Sequence, residues 1–150
     1  MTILSKVTEQ FGVHIMIDGY GAVEARLHDK AVLSGLLDDL PGEMGMHRIC
    51  PAVVVEAGPG CTKDPGGMSG FVMIAESHIS IHTFPARGFV TMDLYTCQCG
   101  LDRAAVIARL MAAFGLEDAD IHVQNRGLRY PVADTMATAP RGPHTSTAIA

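Results

Sequence analysis

The chain has 150 residues, 48% of them hydrophobic and 18% charged, a length that suits one core burying roughly two thirds of the surface exposed when unfolded. Its formal charge of −5, with no cluster of lysines and arginines, argues against a nucleic-acid partner, because phosphate backbones demand positive charge. Apolar runs fall short of the ~20 residues that cross a bilayer, and Met1 to Gln10 carry Lys6 and Glu9 where a secretory signal has its apolar stretch. The expectation is a cytoplasmic protein with no membrane or nucleic-acid partner, better suited to a small cationic substrate.

Val13, Ile15 and Ile17 alternate with His14, Met16 and Asp18, the period of a half-buried strand, which Gly19-Tyr20-Gly21 should end. From Asp29, a candidate N-cap, Val32, Leu33, Leu36, Leu37 and Leu40 follow a helical period up to Pro41-Gly42, read as a stop. Ala52 to Val55 reads as a buried strand bounded by Gly58-Pro59-Gly60, and turn formers fill Cys61 to Gly67. Gly70 to Ala75, His78 to Phe84 and Phe89 to Cys97 are three further strands; in the last, Val90, Met92, Leu94 and Thr96 face one way and Phe89, Thr91, Asp93, Tyr95 and Cys97 the other. Leu101 to Phe114 is a second long helix with Gly115 as its C-terminal stop, and Ile121 to Gln124 a short final strand. The tail from Ala133 to Ala150, rich in Ala, Thr, Pro and Gly, reads as disordered. Strands that follow one another directly, with two helices among them, point to a single α+β domain: a two-layer sandwich of an antiparallel-rich sheet with both helices on one face.

Four cysteines, Cys50, Cys61, Cys97 and Cys99, are expected as thiols in a reducing compartment. Cys97-x-Cys99 is one residue short of the usual C-x-x-C spacing and has no second ligand pair beside it. His78 and His82 would share a face on a helix, but Ile79, Ile81 and Thr83 favour a strand, which separates them by about 13 Å at ~3.3 Å per residue. Two satisfied histidines on a polar strand face remain the plain alternative to a chemical role.

The segment Glu76-Ser77-His78-Ile79-Ser80-Ile81-His82-Thr83-Phe84-Pro85 resembles the Glu-Ser-His-x-x-x-His-Thr-Trp-Pro-Glu signature of the bacterial and archaeal S-adenosylmethionine decarboxylases, pyruvoyl-dependent enzymes of polyamine biosynthesis. The resemblance continues at Ser69-Gly70 and at Asp93-Leu94-Tyr95-Thr96-Cys97, and more weakly from about His14 to Arg129. It implies a proenzyme that cuts itself between Glu76 and Ser77 into a β chain of residues 1–76 and an α chain of residues 77–150. The Ser77 hydroxyl would attack the Glu76 carbonyl, elimination of the resulting ester would leave dehydroalanine, and hydrolysis would leave a pyruvoyl group derived from Ser77 as the cofactor. That ketone would condense with the substrate amine as a Schiff base and act as the electron sink for decarboxylation. By the same resemblance His82 assists cleavage, Ser69 hydrogen-bonds the reacting centre, Cys97 reprotonates the substrate carbon as a thiol, and the working unit is a homodimer of cleaved protomers.

Two positions depart from the signature. Phe84 replaces the tryptophan that would stack on adenine, and Ala86 replaces the glutamate that would hold the ribose hydroxyls, a charged hydrogen-bond partner worth roughly 1.5 to 3 kcal/mol. Cys61 to Met68 contains no aromatic residue where the family places the other stacking ring, but does contain Asp64, a candidate partner for a distal cationic group. S-adenosylmethionine is the family's default substrate; L-arginine or L-ornithine is the alternative on the same scaffold. A non-catalytic paralogue is the contrasting reading, which the retained Ser77, His82 and Cys97 disfavour.

Overall fold

A computed structural model describes residues 8–133; all but the first residue of the tail expected to be disordered lies outside them. Six strands form one sheet in the order β3-β4-β5-β6-β2-β7: β2 (Gly12–Tyr20), β3 (Val53–Ala57), β4 (Gly67–Ile74), β5 (Ser77–Phe84), β6 (Phe89–Thr96) and β7 (Asp118–Arg126). Every neighbouring pair in it is antiparallel. A separate two-stranded ladder joins β1 (Thr8–Glu9) to β8 (Tyr130–Pro131). The helices are a single turn, α1 (Glu24–Leu27), and two longer ones, α2 (Lys30–Glu43) and α3 (Arg103–Phe114).

The long helices start where an aspartate can cap them. The Asp29 carboxylate accepts from the Ala31 amide at 2.8 Å and the Asp102 carboxylate from the Ala105 amide at 3.0 Å, satisfying donors a first turn leaves unpaired. Gly115 ends α3 in the left-handed region, φ 64, where a side chain would be strained. Pro41 does not stop α2; it lies inside its last turn, and the helix runs on to Glu43.

One face of the sheet is dry. Ile15 and Ile17, Val72 and Ile74, Ile79 and Ile81, and Met92 and Leu94 meet Leu33, Leu36, Leu37 and Leu40 of α2 and Val106, Leu110 and Phe114 of α3. Burying each such side chain contributes roughly 1.5 to 3 kcal/mol. The approach is close at Gly70, where an added Cβ would lie 2.7 Å from the Leu37 side chain, so the residue after Ser69 has to be small.

Among the described residues, none forms a layer on the opposite face. This overturns the reading of Ala52 to Val55 as a buried strand: β3 is an edge strand, with Val54 buried but Val53 and Val55 59% and 54% exposed. A continuous apolar run reads as buried on both sides only if both sides are covered, and here one is not. The strand read as the short stretch Ile121 to Gln124 is β7, nine residues long and paired along the whole of β2.

Thr83 is 1% exposed and bolts β5 in place: its hydroxyl donates to the Leu27 carbonyl at 2.8 Å and accepts from the Met68 amide at 3.0 Å. Thr83→Val keeps the shape and orphans both partners, so it should destabilise the fold by about 2 to 4 kcal/mol. A lower urea midpoint with an unchanged slope is the expected result; an unchanged midpoint would show that water satisfies both groups.

Candidate active site

β4 and β5 form a hairpin whose connection is the two residues Ala75-Glu76, with Ile74 opposite Ser77. Among the described residues Ser77 is the one non-glycine with positive φ, at 148°. Backbone of this kind costs of order 1 to 3 kcal/mol and persists when its surroundings over-determine it. Three contacts do so here. The Glu76 carbonyl accepts from the Cys97 amide at 3.0 Å, the Ala75 amide donates to the His47 carbonyl at 2.7 Å, and the Glu76 carboxylate takes hydrogen bonds from His47 on both oxygens. The strain therefore falls on the residue that carries the hydroxyl, beside a carbonyl already polarised by an amide.

Burial opposes ionisation of Glu76, but the His47 side-chain and amide hydrogen bonds outweigh it and hold the carboxyl below its usual range. Cys97, just beyond β6, shows the opposite effect: burial pushes its thiol up, and the neighbouring charges of Glu76 and Cys99 add to the rise. An ionised carboxylate and a protonated thiol thus stand side by side at neutral pH. Cys97 also opens onto a pocket of about 390 Å³ bordered by Gln10, Phe11, Cys99 and Arg103.

Ser69 and His82 form a second group. They face each other across β4 and β5, with the Ser69 hydroxyl 3.0 Å from Nδ1 of His82. His82 is five residues along β5 from Ser77, roughly 16 Å at the rise of a strand. One chain therefore brings Glu76, Ser77 and Cys97 together, brings Ser69 and His82 together, and holds the two groups apart. Phe84 stacks on Phe89 at 5.6 Å, and Phe89 on Tyr20 at 5.4 Å, at the His82 end of the open face. Asp64 binds the Gly66 amide at 3.0 Å through its own carboxylate, closing the loop on itself. Ala86 lines a separate cleft of about 360 Å³ shared with Glu24, His28 and Glu56.

Sequence reading missed His47 and the row of rings on the open face. His47 lies in a loop without a motif, and its link to Glu76 spans 29 residues. Phe71, His78, Tyr95 and His14 touch in succession across four strands, with Arg126 4.3 Å over the Tyr95 ring. Alternation puts Asp93 on this face, and there its carboxylate pairs with His14 at 2.7 Å. The open-face parity of these residues could be read from the strands, whereas their neighbours could not.

The sequence profile of the family described as S-adenosylmethionine decarboxylase matches residues 13–127. The chain is 36% identical over 86 residues to an S-adenosylmethionine decarboxylase proenzyme of Pyrobaculum neutrophilum, a stretch covering 57% of this chain and 64% of that protein. It is 33% identical over 105 residues to one of Symbiobacterium thermophilum, covering 70% and 74%. The matched stretch thus spans less than two thirds of the Pyrobaculum protein. The fold is similar to the crystal structure of the adenosylmethionine decarboxylase from Aquifex aeolicus, with a TM-score of 0.67, 23% identity, and coverage of 87% of this chain and 99% of that one.

Proposed function

Because the chain belongs to the S-adenosylmethionine decarboxylase family, we propose that it is a self-processing, pyruvoyl-dependent decarboxylase that cuts itself between Glu76 and Ser77. The observation that carries this reading is the strained Ser77 backbone directly after a Glu76 carbonyl held by the Cys97 amide. Attack of the Ser77 hydroxyl on that carbonyl forms an ester as the C–N bond breaks and the nitrogen takes the proton. The Cys97 amide stabilises the negative charge that develops on the Glu76 oxygen. Loss of the Ser77 α-proton then expels Glu76 as a carboxylate, leaving dehydroalanine, and water releases ammonia from it to give the new terminal ketone. Residue 77 fits this role because the serine β-oxygen can both attack and leave, and its elimination yields the dehydroalanine from which a pyruvoyl group forms.

The pyruvoyl group supplies an electron-accepting carbonyl for decarboxylation, so no separate organic cofactor is required. Cys97 is suited to deliver a proton once carbon dioxide has left, since its raised pKa keeps it a thiol through neutral pH. Ser69 and His82 act from a second copy. A two-fold axis through the middle of the open face lays the Ser77 end of one sheet over the His82 end of the other, at the ~10 Å spacing of stacked sheets. The same packing covers Val53, Val55, Phe71 and Met73, which are 43 to 59% exposed in the single chain.

S-adenosylmethionine is the family's default substrate. A second reading, decarboxylation of arginine or ornithine, is favoured by Ala86: it removes a carboxylate from the ribose position, while Glu24 and Glu56 line the same cleft and can meet a guanidinium or ammonium group. No described helix is long and apolar enough to cross a membrane. A cytoplasmic enzyme of polyamine synthesis, using a small cationic amine, agrees with these features.

Intact-mass measurement of the purified protein tests the central claim: two chains are expected, 1–76 and a carbonyl-blocked 77–150, and one uncut chain from Ser77→Ala. A wild-type chain that remains whole refutes it. Mixed dimers of Cys97→Ala with His82→Ala test the shared site. Each homodimer should be impaired, and the isolated mixed dimer should have about half the activity of a wild-type dimer, because one of its two sites is intact; no recovery would place both groups in a single-chain site. For substrate, we expect carbon dioxide release from arginine or ornithine with poor turnover of S-adenosylmethionine, and tighter binding of the latter by Ala86→Glu. Efficient S-adenosylmethionine turnover with none from either amino acid would return the chain to the family default.

A further inference from the structure

Residue 47 surrounds the turn to be cut. Its carbonyl accepts the Ala75 amide at 2.7 Å, its amide donates to one Glu76 carboxylate oxygen at 3.0 Å, and its Nδ1 lies 2.6 Å from the other. The segment that presents it is anchored on both sides: Met46 is 3% exposed, Arg48 pairs with Asp38 of α2, and the Ile49 amide donates to the Met73 carbonyl at 3.1 Å. The imidazole itself is 77% exposed, while the carboxylate it holds is 15% exposed. A nearly buried carboxylate is thus satisfied by a side chain that contributes little to the core.

We propose that His47 is a positioning residue for chain cleavage, acting through the Glu76 carboxylate to hold the Glu76–Ser77 peptide against the Cys97 amide. The inference rests on the self-processing reading and adds to it a residue outside the motif. Glu76 is pinned at two points, its carbonyl by Cys97 and its carboxylate by His47, so the plane of the scissile peptide cannot rotate away from the Ser77 hydroxyl. Without the imidazole the carboxylate keeps only the residue-47 amide, so the peptide is held less firmly and the strained φ at Ser77 can relax.

The charged groups around the carboxylate fix the pH dependence. His47 faces it from the loop before β3 and lowers its pKa; Cys97, whose own pKa is raised, approaches from the end of β6 as a thiol. A depressed carboxyl pKa means that the contact is complete above the ordinary carboxylate range and is lost as pH falls through the depressed value. Removing the imidazole leaves burial opposed only by the backbone hydrogen bonds, so the Glu76 pKa rises from its wild-type position and protonation should begin at a higher pH.

Cleavage of freshly synthesised chains, followed by intact mass from pH 4 to 8, provides the test, with wild type, His47→Ala and His47→Asn compared. His47→Ala should cleave about tenfold more slowly at pH 7, the loss of one charge-assisted hydrogen bond, and its acid limb should move to higher pH. In His47→Asn the side-chain amide stands where Nδ1 stood and donates at every pH, so most of the rate should return. Equal rates and acid limbs in wild type and His47→Ala overturn the positioning role while leaving self-processing intact. A slowed His47→Ala with an unmoved acid limb and no rescue by Asn also overturns it, as a purely structural effect. A wild-type chain that never cleaves overturns both.

Discussion

The structure depends on one constraint: an antiparallel sheet that, among the described residues, is covered by helices on a single side. Period-two alternation then sorts every strand residue into one of two environments. In β5, Ile79, Ile81 and Thr83 enter the dry side, and His78, Ser80 and His82 face out; in β6, Val90, Met92, Leu94 and Thr96 are buried, and Thr91, Asp93 and Tyr95 are not. Because a slip of one residue would exchange the two sets, burial of the isoleucines also fixes the placement of the histidines. Ser69, His82, Phe84 and Asp93 all have the outward parity, so packing determines where polar chemistry can be displayed.

A second requirement acts at the hairpin tip. The backbone at Ser77 is strained by of order 1 to 3 kcal/mol, and the contacts to Glu76 and Ala75 offset it. Both members of the pair at this tip are also electrostatically sorted. Hydrogen bonds to His47 favour the charged form of Glu76, while burial and that charge favour the neutral form of Cys97. Each group ends in the protonation state its proposed task needs: a carboxylate that orients, and a thiol with a proton to give. The pairing is local, since Glu76 and the Cys97 amide meet directly.

The separation of Ser69 and His82 from Ser77 follows from strand geometry as firmly as the strand itself does. Five residues of extended chain cannot be folded back within β5, so two groups on one strand work on one substrate only if a second surface carries one of them across. The uncovered face, with its exposed Val53, Val55, Phe71 and Met73, is the surface available for that purpose. The stability of the fold and the completeness of the proposed site are in this way linked to the same unfilled layer.

Local physics was enough for much of this to be legible in the residues. The periods of 2 and 3.6, the caps at Asp29 and Gly115, and the spacing from Ser69 through Ser77 and His82 to Cys97 are properties of short stretches, and they determined the α+β class, the helix side of the sheet and the resemblance to the family. What tertiary structure alone decided involves residues that sequence separates: the 29-residue link from His47 to Glu76, the 79-residue link from His14 to Asp93, and the exposure of β3. Pairing across strands depends on sheet order and register, and exposure depends on what covers a face. Neither leaves a periodic trace in the chain, because each is set by the packing of all the elements together.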